Sequence, residues 1–240
     1  MGFAVPSGQV FYHFDLDVMY FMAKFNFIRW SKKPIKLSSG IESHIYVSGR
    51  EDLTDHPVLE YQIGKKITYL IQKLETENEK DFLGEKQICL IGIPTAGTAL
   101  AQAVAMFSFM KFQNINGSPI CHRIMREALK SHGIHQDWVN GKYDPDRHTY
   151  WTIDNVITNG QSKFETAKRL EQSGYPAKDM THLILIDRQQ GGVKNMREAG
   201  FLKIIIVYNL SDIVYTFGEM KLWTKDRVRA AAEEIAAMQV

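Results

Sequence analysis

From Gln87 onward the chain repeats one pattern, a short apolar run that ends in Gly or a polar residue and is followed by a stretch with helical spacing. The runs at 88–93, 120–123, 151–157, 183–187 and 204–208 have strand length, and 98–109, 163–173 and 193–199 have helix length. Strands that alternate with helices cannot pair as hairpins, so they pair in parallel through right-handed crossovers. The predicted fold is therefore α/β, a mostly parallel central sheet flanked by helices. Sheets of this kind bind ligands at the carboxyl ends of their strands, so the chemistry is expected just after each apolar run.

The residues before Gln87 read differently. Leu16, Val18, Met19, Phe21, Met22, Phe25 and Phe27 among scattered charges predict a short aromatic-rich helix that packs as a hood. Residues 34–50 read as a turn leading into a strand at Ile45, Tyr46 and Val47. A helix follows, with Asp55 as its cap, Pro57 in its first turn and Leu59, Ile63, Ile67, Leu70, Ile71 and Leu74 on one face. The expected division is a small N-terminal hood and substrate segment over 1–50 and an α/β core over 51–240. A last helix at 226–238 reads as cover.

A chain of 240 residues with 45% hydrophobic and 23% charged residues has ordinary globular composition. The 29 Lys and Arg against 27 Asp and Glu leave +2, too balanced for a nucleic-acid-binding footprint. No apolar stretch approaches the ~18 residues of a membrane helix, and no secretory signal is visible at the start. Cys89 and Cys121 alone cannot make a disulfide framework, so a reducing, cytoplasmic setting is expected.

The most informative stretch is 151–162, WTIDNVITNGQS. A strand passes through Asp154 and Asn155 into a small-residue turn at Thr158, Asn159 and Gly160, and a helix opens at Gln161 and Ser162. Backbone amides there would point outward with the helix dipole behind them, which suits a phosphate, and the Thr158 and Ser162 hydroxyls add donors. Asp154 and Asn155 are placed to accept hydrogen bonds from the vicinal hydroxyls of a sugar. A capped strand-to-helix turn with no ligand would show the same small residues.

This stretch resembles the PRPP-binding signature of the type I phosphoribosyltransferases. Three other segments resemble the orotate phosphoribosyltransferase family in particular. LSSGIESHIY at 37–46 with Arg50 is similar to its N-terminal substrate segment, Met125 and Arg126 with Lys130, His132 and Gly133 to its mobile catalytic loop, and LIDRQQGG at 185–192 to its base-recognition turn. The turn Gly92 to Thr98 is similar to its pyrophosphate loop. The resemblance implies transfer of ribose 5-phosphate from PRPP to orotate with Mg²⁺, giving orotidine 5′-monophosphate and pyrophosphate in pyrimidine synthesis.

By the same resemblance Lys130, Arg126, His132 and Asp154 are the catalytic residues. Asn155, Thr158, Asn159, Gly160, Gln161, Ser162, Arg188, Tyr46, Ser38 and Thr95 contact substrate, Arg188 through the orotate carboxylate, which a planar guanidinium suits. The alternative for Arg188 is a structural ion pair with Asp187 or Glu198. No cluster with ligand spacing offers a metal cage, so Mg²⁺ is expected to arrive on substrate phosphates. A homodimer with the catalytic loop reaching the neighbouring site is also implied.

The chain departs from the family at several points. Asn155 stands at the second acidic position of the ribose signature, Ser38 where many members have Lys, His44 where Pro is usual and Ser48 where Asp is common. Glu127 occupies a loop position that is often basic. Asn155 and Glu127 support a rival reading, a nucleotide-binding or regulatory protein of this fold with weak or no transfer.

Overall fold

The computed structural model describes residues 2–37, 40–49, 51–127 and 138–239. The chain opens with a two-stranded ribbon, β1 (Phe3–Ala4) and β2 (Val10–Phe11), and then α1 (His13–Lys24). An antiparallel hairpin follows, β3 (Ile28–Lys36) against β4 (Glu42–Val47). Its register shifts between Trp30 and Ile35, and Pro34 sits in that irregular stretch, where a missing N–H breaks no ladder bond. The expected turn at 34–44 is thus partly strand, and the strand at 45–47 is the second arm of a hairpin.

Next come α2 (Glu51–Thr54), α3 (Pro57–Thr76) and α4 (Lys80–Leu83). His56, not Asp55, takes the N-cap position of α3, and no side chain caps it. Pro57 accounts for this, since it starts the helix without an N–H and keeps the preceding residue out of the helical region. The core then runs β5 (Gln87–Gly92), α5 (Ala96–Met110), β6 (Cys121–Ile124), β7 (His148–Ile157), α6 (Gln161–Gln172), β8 (Thr181–Asp187), α7 (Gly192–Glu198), β9 (Ile204–Asn209), α8 (Leu210–Glu219) and α9 (Lys225–Met238). The sequence pattern does not single out α8, whose Ile213, Val214 and Tyr215 have strand character.

Strands β6, β5, β7, β8 and β9 form one sheet in that order, all parallel. Both faces are covered, and the two-residue side-chain period sorts the strands up to their carboxyl ends, where Ile157 and Ile186 break the alternation. Ile88, Leu90, Trp151, Ile153, Leu183 and Leu185 face one apolar cluster, while Cys89, Ile91, Tyr150 and Ile184 face the other. The first cluster collects α1, α3, α5, α8, α9 and the hairpin residues Ile28 and Ile45; the second collects α6, α7, Trp138 and Tyr175. Each fully buried Leu or Ile contributes about 1.5–3 kcal/mol. The hood therefore shares its core with the sheet.

A buried carboxylate fixes that junction. Asp15 on α1 accepts from the Tyr208 hydroxyl at 2.9 Å and the Tyr12 amide at 2.8 Å, and Lys66 on α3 pairs with it at 2.6 Å. Among the described residues no helix is long and apolar enough to cross a membrane.

His182 lies inside the sheet, with Nδ1 accepting from the Thr152 hydroxyl at 2.7 Å and Nε2 donating to the Ala177 carbonyl at 2.8 Å. Burial pulls its pKa down to about 4. The unfolded chain takes up this proton below about pH 6.5 and the folded chain only near 4, so stability falls as pH drops through that window. Urea unfolding at pH 7 and pH 4 is expected to differ by about 3 kcal/mol more in the wild type than in His182→Gln. Equal pH dependence in the two proteins would show that the imidazole is not held neutral.

Candidate active site

The sheet order reverses direction between β5 and β7. β6 lies on one side of β5 and the later strands on the other, so the connections leave the carboxyl ends in opposite directions and open a crevice there. A cavity of about 390 Å³ occupies that crevice. Tyr46, Thr95, Asp154, Asn155, Thr158, Ser162 and Arg188 all line it. The structure thus brings together seven of the sequence-predicted residues from four separate segments. Arg126 lines an adjoining cavity of about 510 Å³ that shares Pro94 and Thr95 with the first. Ser38, Arg50, Lys130, His132 and Gly133 lie outside the described residues.

The turn after β7 has the form expected of a phosphate site. Gly160 is the N-cap of α6 with φ +91°, a left-handed conformation that favours glycine. The amides of Asn159, Gly160 and Ser162 have no hydrogen-bond partner among the described residues. Asn159 and Gln161 play supporting parts. The Asn159 carboxamide accepts from the Gln161 amide at 3.1 Å, its carbonyl accepts from Asn195 at 3.0 Å, and the Gln161 side chain bonds Glu165 along the helix. Gly192 packs directly beneath this turn, and a Cβ there would come within 2.4 Å of the Thr158 carbonyl. That close approach explains the second glycine of the 185–192 segment.

Asp154 does not stand alone at the strand end. Its Oδ1 accepts from the Asn155 amide at 2.8 Å, and its Oδ2 pairs with Lys163 Nζ. Lys163 is 4% exposed, lines the same cavity and also donates to the Val156 carbonyl at 2.6 Å. Each carboxylate oxygen keeps a lone pair for a sugar hydroxyl. Sequence reasoning missed Lys163, although a signal exists: it occupies the buried face of α6 with Thr166, Ala167 and Leu170, where a lysine demands an anionic partner.

Arg188 is 3% exposed, and its guanidinium is turned to the hood. Nη1 donates to the Ile45 carbonyl at 3.0 Å and Nη2 to the Ser43 hydroxyl at 2.7 Å, while Nε has no partner among the described residues. Ser43 passes its own hydrogen bond to Glu234 on α9, and Glu234 also accepts from the His44 amide at 3.0 Å. Burial draws the Arg188 pKa down to about 10, with Glu234 opposing the shift. Among the described residues the ion-pair alternative with Asp187 or Glu198 is not realised; the charge that acts on Arg188 is Glu234, linked to it through the Ser43 hydroxyl. Lys36 is a further cation on the cavity wall that the sequence did not single out.

Thr95 caps the turn after β5, and its hydroxyl donates to Glu127 at 3.2 Å. Gly92 and Gly97 let that turn fold tightly, since a Cβ on Gly97 would come within 2.2 Å of the Ile153 carbonyl. Among the described residues no group of three or more His, Cys, Asp or Glu side chains could hold a metal ion. A divalent cation in this crevice would need oxygens from the ligand, as Mg²⁺ commonly takes.

This architecture is the type I phosphoribosyltransferase fold, as comparison with solved structures shows. The orotate phosphoribosyltransferase of Francisella tularensis superposes with a TM-score of 0.62 at 16% identity, over 91% of this chain and 95% of that one. The UMP synthase of Leishmania donovani gives a TM-score of 0.65 at 18% identity over 91% of this chain, which spans only 42% of that larger protein. In sequence, the chain is 27% identical to the orotate phosphoribosyltransferase of Nostoc sp. over 184 residues, 77% of this chain and 79% of the relative. No family model matches it. The likeness to orotate phosphoribosyltransferases expected from the four segments thus holds over three quarters of the chain.

Lys163→Met is expected to destabilise the protein by about 3–5 kcal/mol, because it strands Asp154 as a buried unpaired carboxylate. Adding Asp154→Asn should return part of that loss. Urea unfolding of the single and double variants measures both, and a single variant as stable as wild type would show that the pair is solvated.

Proposed function

We propose that the chain is an orotate phosphoribosyltransferase. The observation that carries this reading is the convergence, in one switch-point crevice, of the phosphate turn, the Asp154 and Asn155 strand end and Arg188. A 5′-phosphate fits the open amides at the start of α6 with the Thr158 and Ser162 hydroxyls. The ribose hydroxyls then meet Asp154 and Asn155, and the diphosphate falls toward the Pro94 to Ala96 turn and Arg126. Orotate is left the space between Tyr46, Lys36 and Arg188, where its carboxylate takes the unpaired Arg188 edge once the hairpin shifts.

In transfer, the bond from the anomeric carbon to the diphosphate breaks with its electrons going to the diphosphate, and a bond to the orotate ring nitrogen forms as that nitrogen gives up its proton to water or to the departing diphosphate. Arg126 neutralises the departing charge, joined by Lys130 and His132 on the resemblance to the family's loop, and the fixed walls hold both substrates in line. Mg²⁺ bound through the diphosphate oxygens would supply further neutralisation of that charge. A carboxylated base is favoured over a purine, which would leave Arg188 unpaired. The two free cysteines suit a cytoplasmic setting.

The test is a spectroscopic assay of orotate consumption with PRPP and Mg²⁺. Turnover that disappears without Mg²⁺ and is absent with purine bases is the expected result. Tight PRPP binding without turnover would favour the rival nucleotide-binding reading, for which Glu127 on the Thr95 hydroxyl is the supporting contact. Lys130→Ala should lower kcat by roughly 10²–10³ with little change in orotate KM.

The assembly we propose is a homodimer with sites shared between subunits. Mixing inactive Lys130→Ala chains with inactive but folded Arg188→Ala chains should then restore part of the activity through one intact hybrid site. No recovery in verified heterodimers would overturn shared sites.

A further inference from the structure

Helix α6 has a second attachment besides its phosphate turn. Two turns beyond the N-terminus, Arg169 reaches the end of β6, where Nη2 donates to the Arg126 carbonyl at 2.8 Å and Nη1 to the Glu127 carbonyl at 3.3 Å. The Glu127 carboxylate in turn accepts from the Thr95 hydroxyl at 3.2 Å. Three segments that touch different parts of the substrate are joined at this point: the turn after β5, the end of β6 and the helix behind the phosphate site.

The sheet ladder stops short of Arg126. β6 is a strand of four residues whose ladder with β5 ends at Ile124, and among the described residues one isolated bridge, Met125 to Trp138, follows it. Arg126 lies two residues past that end. Its side chain is half-buried on the wall of the cavity shared with Pro94, Thr95 and Thr98, and its Nε has no partner among the described residues. Arg169 pins the backbone that carries this side chain from the α6 side, at the two residues just past that bridge. A planar fork with diverging N–H groups can bind two successive carbonyls at once, whereas a lysine ammonium lacks that fixed spacing.

We propose that Arg169 is a positioning residue for Arg126, and that Glu127 latches the same segment to the diphosphate turn. The proposal rests on the transferase reading above. Glu127 then has a positive use in this chain: it costs one negative charge near the diphosphate and in exchange fixes the backbone that carries the cation. Arg169 lines neither cavity and acts through the backbone of Arg126 and Glu127.

The experiment uses the full chain with Arg169→Gln, Arg169→Lys and Arg169→Ala. A displacement of about 1 Å in a catalytic group costs on the order of 10²-fold in rate. Arg169→Gln is expected to lower kcat by about 10–10²-fold while orotate KM changes less than about twofold. Arg169→Lys should fall between it and wild type, and millimolar methylguanidinium should restore part of the kcat of Arg169→Ala. Calorimetry with Mg²⁺ and inorganic pyrophosphate gives a readout independent of turnover, and Arg169→Gln should bind pyrophosphate about tenfold more weakly, the loss of one charge-assisted contact. Thermal melts establish that each variant is folded. Unchanged kcat and pyrophosphate affinity in folded Arg169→Gln would overturn the proposal, as would a rise in orotate KM that accounts for the whole loss. A wild-type chain that binds pyrophosphate in an Arg169-dependent way yet transfers nothing to orotate would sink the transferase reading and leave the positioning role standing.

Discussion

The chain enters its parallel sheet at β5, near the middle, lays β6 on one side and then crosses over to build β7, β8 and β9 on the other. Because both crossovers are right-handed, the helices that follow β5 and β7 depart to opposite faces, and the carboxyl ends of these two neighbouring strands are left uncovered. Every feature of the site follows from that gap. The turn after β5 and the turn after β7 face each other across it, β6 delivers Arg126 at one rim, and β8 delivers Arg188 at the other. The hairpin then closes the open side, with Gly49 packed so closely that a Cβ there would overlap the Asn155 side chain at 1.8 Å.

A gap in a parallel sheet has no apolar means of holding its walls in place, and this protein holds them with polar networks, buried at Lys163 and Arg188 and part-buried at Arg169. Lys163 joins α6 to the end of β7 through Asp154; Ser43 and Glu234 join the hairpin and α9 to Arg188; Arg169 joins α6 to the end of β6. Such networks stabilise a fold poorly, since desolvation of each charge offsets most of the attraction. What they provide is direction. A carboxylate held at both oxygens, or a guanidinium bonded on one edge, presents its remaining lone pairs or N–H in a fixed orientation, and preorganised dipoles are the main source of rate enhancement in a site of this kind.

The strand and helix pattern was legible because burial on both faces of a parallel sheet writes continuous apolar runs into the sequence, and turns write Gly and polar residues between them. The turn after β7 was legible for the same local reason: the small and polar residues Thr158 to Ser162 that open α6 lie within five positions. The rest depends on contacts distant along the chain. Glu234 meets Ser43 across 191 positions and Arg169 meets Arg126 across 43, so no window of sequence contains both partners. β3 was obscured by Pro34 and by Lys32, Lys33 and Lys36, residues that an exposed two-stranded hairpin tolerates and a central strand does not. Lys163 left a trace as a cation on a buried helical stripe, legible only once the stripe is compared with its neighbours at i+3, i+4 and i+7.

The departures from the family pattern acquire physical reasons at these same contacts. His44 stands where proline is usual, and its amide is the one that Glu234 binds at 3.0 Å, a bond proline could not make. Asn155 stands where a second carboxylate is usual. In this chain its side chain is pressed against Gly49 of the hood, and the neighbouring ammonium of Lys163 is already committed to Asp154. A carboxylate at 155 would add a second negative charge beside Asp154 under the hood, and two close carboxylates sharing a site raise each other's pKa. The amide keeps the capacity to bond a ribose hydroxyl, as acceptor or donor, without that repulsion. One carboxylate matched to one buried lysine is thus a self-consistent arrangement for the proposed ribose site beneath the hairpin.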